Sequence, residues 1–547
     1  MNRLPLDILA ILPVLLPLLA GALLLLFEDR RRVVKVSVSL ATILALLANA
    51  IALLVICSTG GENGTGRVLV HLLGNWPAPA GIVLVADRLS ALMLTLTALL
   101  ALASFVFALA RWHKAGPRFY SIFLFLQMGL NGAFLTGDLF NLFVFFEVML
   151  AASYGLVLHG SGTARIKAGL HYIPINLVAS SLFLIGVSLL YGVTGTLNMA
   201  DLAGRIRGVH PEERMLLEAG AAILAVAFLV KAAMWPLNFW LPTAYSAATA
   251  PVAAMFAIMS KVGIYVILRL DLLLFGHDSG PSAGFGSPWL LYGGLATIAF
   301  GTIGVLASQS MPRLAGYSVL VSSGTLLAAI GVGSEPVISG AIYYLLSSTL
   351  AIATFFLLIE LVERGRAAGA DVLAVSMEFF GVEEDTEEKQ VEEEVGIPLP
   401  LTMAVLGAAF VGSTLLLAGL PPLSGFVAKL SLFAALMGDG ATVPGSSWAL
   451  IALLTISGLA ALIAMARTGI TTFWVPMEAN LPNVRAVELV PVAGLLLLCL
   501  GMTVFGGPVM RFTDATARMI ATPTAYMQDV LAAPPVPAYK QSGSAKP

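Results

Sequence analysis

Apolar residues fall in long, nearly unbroken blocks separated by short polar punctuation, and these blocks set the architecture. Crossing a bilayer takes roughly 20 mostly apolar residues as a helix. Blocks of that kind are 5–27, 35–57, 87–111, 119–136, 138–159, 170–192, 219–241, 249–275, 287–308, 315–333, 336–362, 400–437, 447–473 and 485–507. The pattern predicts an all-α polytopic membrane protein of about fourteen transmembrane helices. The twelfth block is too long for one simple span and holds Pro421, Pro422 and Gly425, so it predicts a broken helix. The seventh carries Pro236, with Pro242 just beyond it, and predicts a second break.

The first block, Pro5 to Phe27, is longer than the apolar core of a signal peptide, about 7–15 residues, and runs straight into Glu28-Asp29-Arg30-Arg31-Arg32. It reads as a retained first helix. Lys and Arg in and beside the loops after odd-numbered spans number fifteen, against six after even-numbered ones. By the positive-inside bias the odd loops face the cytoplasm and both termini lie outside.

Two loops carry patterns of their own. Residues 66–86 contain two short β-branched runs around a Pro/Gly turn and predict an extracytoplasmic β-hairpin. Residues 370–396 hold Glu383, Glu384, Asp385, Glu387, Glu388, Glu392, Glu393 and Glu394, a block of like charge that reads as a solvated linker rather than a cation-attracting patch. The stretch after Ala521, rich in Pro, Ala and Ser, reads as a flexible end.

The spans also suggest duplication. Five cover 119–275 and five cover 287–473, and the fourth span of each set carries a lysine beside helix breakers: Lys231 in the first, Lys429 in the second. An odd number of spans per unit puts the two units in opposite topology, the inverted-repeat plan of many transporters. The chain then divides into N-terminal helices with the hairpin (1–118), a first repeat (119–275), a second repeat with an acidic cytoplasmic loop at 363–399 (276–473), and a last helix with its tail (474–547).

Composition agrees with lipid as the solvent: 59% of the 547 residues are hydrophobic and 11% charged, against about 25% charged in a soluble domain. The net charge of −2 leaves no basic face for nucleic acid. Cys57 and Cys499 are the two cysteines, each in an apolar run, which supplies neither a disulfide framework nor metal-ligand spacing. There is no Walker motif, convincing dinucleotide fingerprint, paired metal-binding histidines or nucleophile elbow, so the chain reads as neither an enzyme nor the carrier of a cofactor or metal.

Charge inside the spans changes the picture most. Glu147 stands among phenylalanines and valines, roughly 14 Å along its span, and Lys231 roughly 18 Å along its own, at 1.5 Å per residue. Lys261 is comparably deep, and Lys429 follows the break in the twelfth span. Each such group costs about 2.5–3.5 kcal/mol at a helix centre. Snorkelling to the interface accounts for Arg269, Arg467 and Asp138 near helix ends, and works poorly near the midplane. A lysine taken out of water loses its preference for the charged form, and a neighbouring carboxylate restores it, so a Glu–Lys pair is a switch that holds or releases a proton. Lys261 is the next acceptor and Lys429 repeats the step in the second unit, with broken helices supplying hydratable backbone. His159 and His171 flank the loop after the fifth span and read as interface residues.

These residues resemble the proton-translocating antiporter-like family, which includes the large membrane-arm subunits of respiratory complex I and the D subunits of Mrp-type multisubunit Na⁺/H⁺ antiporters. The resemblance is carried by DLFNLFVFFE from Asp138 to Glu147, KAAMWPLNFWLP from Lys231 to Pro242, Ala250-Pro251-Val252 ahead of Lys261, and LPPLSGFVAK from Leu420 to Lys429. It covers almost the whole chain. GNWPAP from Gly74, IVLVADRLSA from Ile82, NGAFLTGD from Asn131 and AASYG from Ala151 look specifically like the D-subunit branch.

The resemblance implies fourteen helices with inverted repeats at spans 4–8 and 9–13, Glu147 and Lys231 as a coupled pair, Lys261 as central relay and Lys429 as terminal lysine. It also implies partner subunits of an Mrp-type complex, protons and monovalent cations as the transported species, and a bacterial plasma membrane; the alternative is a proton-pumping subunit of complex I or of a membrane-bound hydrogenase. There are two departures from the family's pattern. Ser347, Ser348, Thr349 and Thr354 stand in the eleventh span where relatives often carry histidines and a lysine, which bears on the route in the second half. Thr243 stands after the seventh where they often carry Asp, which bears on the exit from that span. The path past Lys261 then relies on water and hydroxyls rather than on titrating side chains.

Overall fold

A computed structural model describes residues 6–28, 31–59, 66–112, 118–160, 162–276, 279–364, 401–438, 443–473 and 484–535. Among these, twelve helices are long and apolar enough to cross a membrane. The spans are α2 (Arg32–Thr59), α3 (Arg88–Ala108), α5 (Leu139–Val157), α6 (Thr163–Thr194), α8 (Pro211–Ala232), α10 (Ala250–Leu274), α11 (Ser287–Ala307), α12 (Met311–Val332), α13 (Glu335–Glu363), α14 (Leu401–Ala418), α16 (Gly445–Phe473) and α17 (Ala486–Val504). Three shorter apolar helices, α1 (Leu12–Leu25), α4 (Phe119–Leu135) and α15 (Ser424–Met437), occupy the first span, the fourth and the second half of the twelfth. Short helices α7 (Met199–Ile206) and α9 (Leu241–Ala247) lie between α6 and α10. The acidic loop beyond Arg364 lies outside the described residues.

Both predicted breaks are present. Helix α8 stops at Ala232, Ala233 takes a left-handed conformation (φ 55°), and the chain resumes as α9 at Leu241. Two backbone groups at this break are met by side chains, as an apolar surrounding demands: Trp240 Nε1 donates to the Val230 carbonyl at 3.2 Å, and Trp235 N donates to Thr297 Oγ1 at 2.9 Å. The second break separates α14 from α15 at Gly419, whose φ of 74° favours glycine.

The hairpin forms as β1 (Leu69–Leu72) against β2 (Val83–Ala86), antiparallel, with Leu69 opposite Ala86. Asp87 follows β2 and caps α3: Ser90 N donates to its carboxylate at 2.9 Å, and Asp87 N donates to Ser90 Oγ at 2.8 Å.

Three expectations are corrected. Arg269 does not snorkel: it is buried and pairs with Asp87 at 2.6 Å, with Nε donating to Tyr265 Oη at 3.1 Å. A partner carboxylate brought from 182 positions away in sequence makes the interface unnecessary. Asp138 is likewise buried, capping α5 by accepting from Asn141 N at 2.8 Å. The stretch after Ala521 is not simply a flexible end: α19 (Thr524–Leu531) lies in it, directly after α18 (Gly506–Ala521), and residues beyond 535 lie outside the described residues. Tyr526 of α19 is buried with its ring 5.2 Å from the Arg269 guanidinium, and Asp514 of α18 accepts from Ser339 Oγ at 2.5 Å. Both helices therefore dock by polar contacts that an apolar-block reading does not register.

Candidate proton-transfer residues

Helix α10 runs through the middle of the molecule, buried along nearly its whole length. It lies beside α8, and Gly263 permits the approach: a Cβ there would stand 2.9 Å from the Phe228 carbonyl and 3.2 Å from Lys231 Cβ. Lys231, in the last turn of α8 before the break, is thus held against the helix that carries Lys261. Both lysines are buried, Lys261 completely.

The ammonium of Lys231 donates to Asn176 Oδ1 of α6 at 2.7 Å and lies 5.9 Å from the centre of the Phe146 ring. One turn further along α6, Ser180 Oγ donates to the Glu147 carboxylate. Among the described residues no ion pair joins Glu147 to Lys231 directly. Two polar residues of α6, four apart and so on one face, stand where the sequence suggests contact between the charges. Asn176 in turn donates through Nδ2 to the Tyr172 carbonyl at 2.7 Å, which orients its amide so that the oxygen faces the lysine.

Glu147 is half-buried, on the same side of α5 as the exposed Phe140 and Val144. It stands near the middle of α5, between Leu139 and Val157. Its angular position on the helix is what the hydropathy pattern leaves out, and that position is the rim of the chain.

Lys261 points away from this group. Its Nζ donates to Ser322 Oγ of α12 at 2.8 Å, and Ser322 Oγ donates to Ser348 Oγ of α13 at 3.0 Å. Ser322 and Ser348 line a cavity that reaches Lys429, with Tyr344, Ser347 and Ser457 on its walls. Of the hydroxyl residues singled out in the eleventh span, Ser348 belongs to this chain of bonds and Ser347 bonds to Ser424 at the start of α15 (2.8 Å). Thr349 and Thr354 donate to carbonyls of their own helix. Thr243 also stays local, donating to the Trp240 carbonyl at 2.9 Å.

Lys429 sits in the second turn of α15, and its Nζ donates at 2.8 Å to the carbonyl of Ala418, the last residue of α14. That acceptor is exposed by the break itself, since the last carbonyls of a helix have no partner within it. Gly458 of α16 makes the arrangement possible: a Cβ there would lie 2.6 Å from the Ala418 oxygen and 2.9 Å from Lys429 Nζ.

The histidines stand apart from these groups. His159 Nε2 lies 2.8 Å from the Trp112 carbonyl with its ring against Phe119, and His171 Nδ1 bonds to the Lys167 carbonyl at the surface. Asn176, Ser180 and Ser322 escape the search for charges in the spans. A lone amide in the apolar block 170–192 is the signal that points to Asn176.

Residues 136–463 match the family model described as NADH:quinone oxidoreductase/Mrp antiporter, transmembrane. The chain is 58% identical over 536 residues to the D subunit of a probable K⁺/H⁺ antiporter of Rhizobium meliloti, covering 97% of this chain and 98% of that protein. It is 34% identical over 529 residues to the D subunit of the Na⁺/H⁺ antiporter of Alkalihalophilus pseudofirmus, covering 96% and 99%. In three dimensions it is similar to a chain of the Mrp complex from Dietzia sp. DQ12-45-1b, with a TM-score of 0.80 at 27% identity over 96% of this chain and 99% of that one.

Proposed function

The chain belongs to the NADH:quinone oxidoreductase/Mrp antiporter transmembrane family, and from that premise we propose that it is the proton-translocating subunit of a multisubunit monovalent cation/proton antiporter in the plasma membrane. Its relatives are named as D subunits of K⁺/H⁺ and Na⁺/H⁺ antiporters, so partner subunits complete the machine and the chain is a transporter component.

The observation that carries the reading is the set of three lysines buried in the spans, each with an acceptor supplied by another helix or half-helix: Asn176 for Lys231, Ser322 for Lys261, the Ala418 carbonyl for Lys429. Buried ammonium groups are costly, and a purely structural helix bundle has no use for three of them. Glu147 and Lys231 form the switch. They couple through Ser180 and Asn176, so a change in the charge of Glu147 alters how firmly α6 holds the lysine. A proton released from Lys231 passes to Lys261 and from there into the second unit, ending at Lys429. Two five-helix repeats of opposite topology, 119–275 and 276–473, frame the two halves of this path.

Glu147 at the rim of α5 fits a protein whose neighbour in the complex completes the entry route. The test is cation-dependent proton exchange by an assembled complex in which Glu147 is replaced by Gln or Lys231 by Ala.

A further inference from the structure

We propose that Ser322 and Ser348 relay the proton between Lys261 and Lys429, through water held in the cavity their hydroxyls line. The proposal rests on the functional reading above and names groups that carry charge across a stretch where no side chain need ionise.

Serine and threonine in a transmembrane helix ordinarily bond back to a carbonyl one turn earlier, as Ser318, Thr325 and Thr349 do here. Ser322 does otherwise. It accepts from Lys261 Nζ at 2.8 Å and turns its own hydrogen across to Ser348 Oγ of the next helix at 3.0 Å. The donors run in one direction from Lys261 through Ser322 to Ser348, whose own hydrogen rests on the Leu345 carbonyl at a long 3.4 Å and must swing from it to reach the cavity. On the far side stands Lys429, whose Nζ donates to the Ala418 carbonyl, a bond that the neutral amine keeps while its lone pair is free to accept. Among the described residues the cavity wall carries no carboxylate or imidazole. It does carry Ser347, Ser457 and Tyr344, so water that enters finds several polar partners, the condition under which a buried cavity stays wet.

A hydroxyl accepts and donates at once, so it passes a proton without keeping one. The Lys261 ammonium gives a proton to the Ser322 oxygen as Ser322 gives its own to Ser348. Ser348 hands its proton to cavity water, and the last water protonates the neutral amine of Lys429. One N–H bond breaks on Lys261 and one forms on Lys429. Each hydroxyl finishes with a single hydrogen, pointing the opposite way, and must rotate before the next transfer. Lys261 and Lys429 are therefore connected only while the serines point from the first to the second.

The test uses the complete complex in everted vesicles, with assembly confirmed for each variant, and reads the maximal rate of cation-dependent proton exchange and the half-saturating cation concentration. Ser322→Ala and Ser348→Ala are expected to lower the maximal rate at least about fivefold, the equivalent of one lost hydrogen bond in the transfer step, with the half-saturating concentration unchanged. Ser348→Thr keeps the hydroxyl and is expected to recover most of the rate that Ser348→Ala loses. If Ser322→Ala fails to assemble, Ser348→Ala decides. Native rates in the alanine variants, in membranes where Glu147→Gln is inactive, overturn the hydroxyl relay and leave the functional reading standing. Equal loss in Ser348→Thr and Ser348→Ala also overturns it, since packing rather than the hydroxyl is then at stake. Native rates in Glu147→Gln as well overturn both.

Discussion

Lys231 donates its hydrogen bond to Asn176, at 2.7 Å, and not to Glu147. The amide oxygen is a neutral acceptor, so it holds the ammonium in place without fixing its charge as a bonded carboxylate would. A lysine that must take up and release a proton in each cycle is better served by this arrangement. Under the proposed function its coupling to Glu147 works through Ser180, which bonds that carboxylate one turn along the same helix.

Replacing Asn176 by Leu removes the acceptor and leaves a buried ammonium without its partner. A lost hydrogen bond to a charged group is worth about 1.5–3 kcal/mol, which corresponds to a fall in exchange rate of roughly tenfold to a hundredfold. Asn176→Asp is expected to be slow for the opposite reason, because a carboxylate in contact with Lys231 retains the proton. Exchange rates of the two variants in assembled complexes check both halves of the prediction.

Gly458 faces the break in the twelfth span so closely that even a methyl group collides with the Ala418 carbonyl and with Lys429 Nζ. Gly458→Ala is expected to displace the lysine head and reduce exchange about tenfold, as does misplacing a reacting group, while the complex still assembles. A second change on the same helix that leaves the break alone, Ile456→Ala at an exposed position, is expected to exchange at the native rate. Comparing the two separates the lysine's placement from a general effect on α16.

Asp87 and Arg269 form a buried ion pair that ties the end of β2 to α10, with Tyr526 of α19 packed over it. Breaking one side of such a pair costs about 3–5 kcal/mol because the other charge is left buried and alone, whereas removing both costs much less. Asp87→Ala is therefore expected to lower the thermal inactivation temperature of the complex markedly, and Arg269→Met with it to recover much of the loss. Residual assembled complex after graded heating measures each step.

Spans were legible because lipid demands continuous apolar runs, and the breaks were legible because Pro236, Pro421 and Pro422 interrupt them. The four charged positions stood out against that background for the same reason. What hydropathy leaves out is the rotation of each helix. Glu147 could be placed along its span but not on the rim of α5, and Ser180, Asn176 and Ser322 could not be recognised as acceptors and donors until their helices were turned to face Glu147, Lys231 and Lys261. Arg269 was misread as a snorkelling residue because its partner, Asp87, is distant in sequence and looks like an ordinary helix cap. Helices α18 and α19 were missed because they are amphipathic or short, with Arg511, Asp514 and Arg518 in the first and Thr, Gln and Asp in the second.

The central claim is that Glu147 and Lys231 work together to move protons in exchange for a monovalent cation. It is tested most directly by cation-dependent dissipation of a pH gradient in everted vesicles carrying the whole complex, comparing native protein with Glu147→Gln and Lys231→Ala, each shown to assemble by blotting the intact complex. The account predicts that both variants assemble and lose cation-dependent proton movement. Assembly with exchange at native rates in both would contradict it and place the proton path elsewhere in the complex.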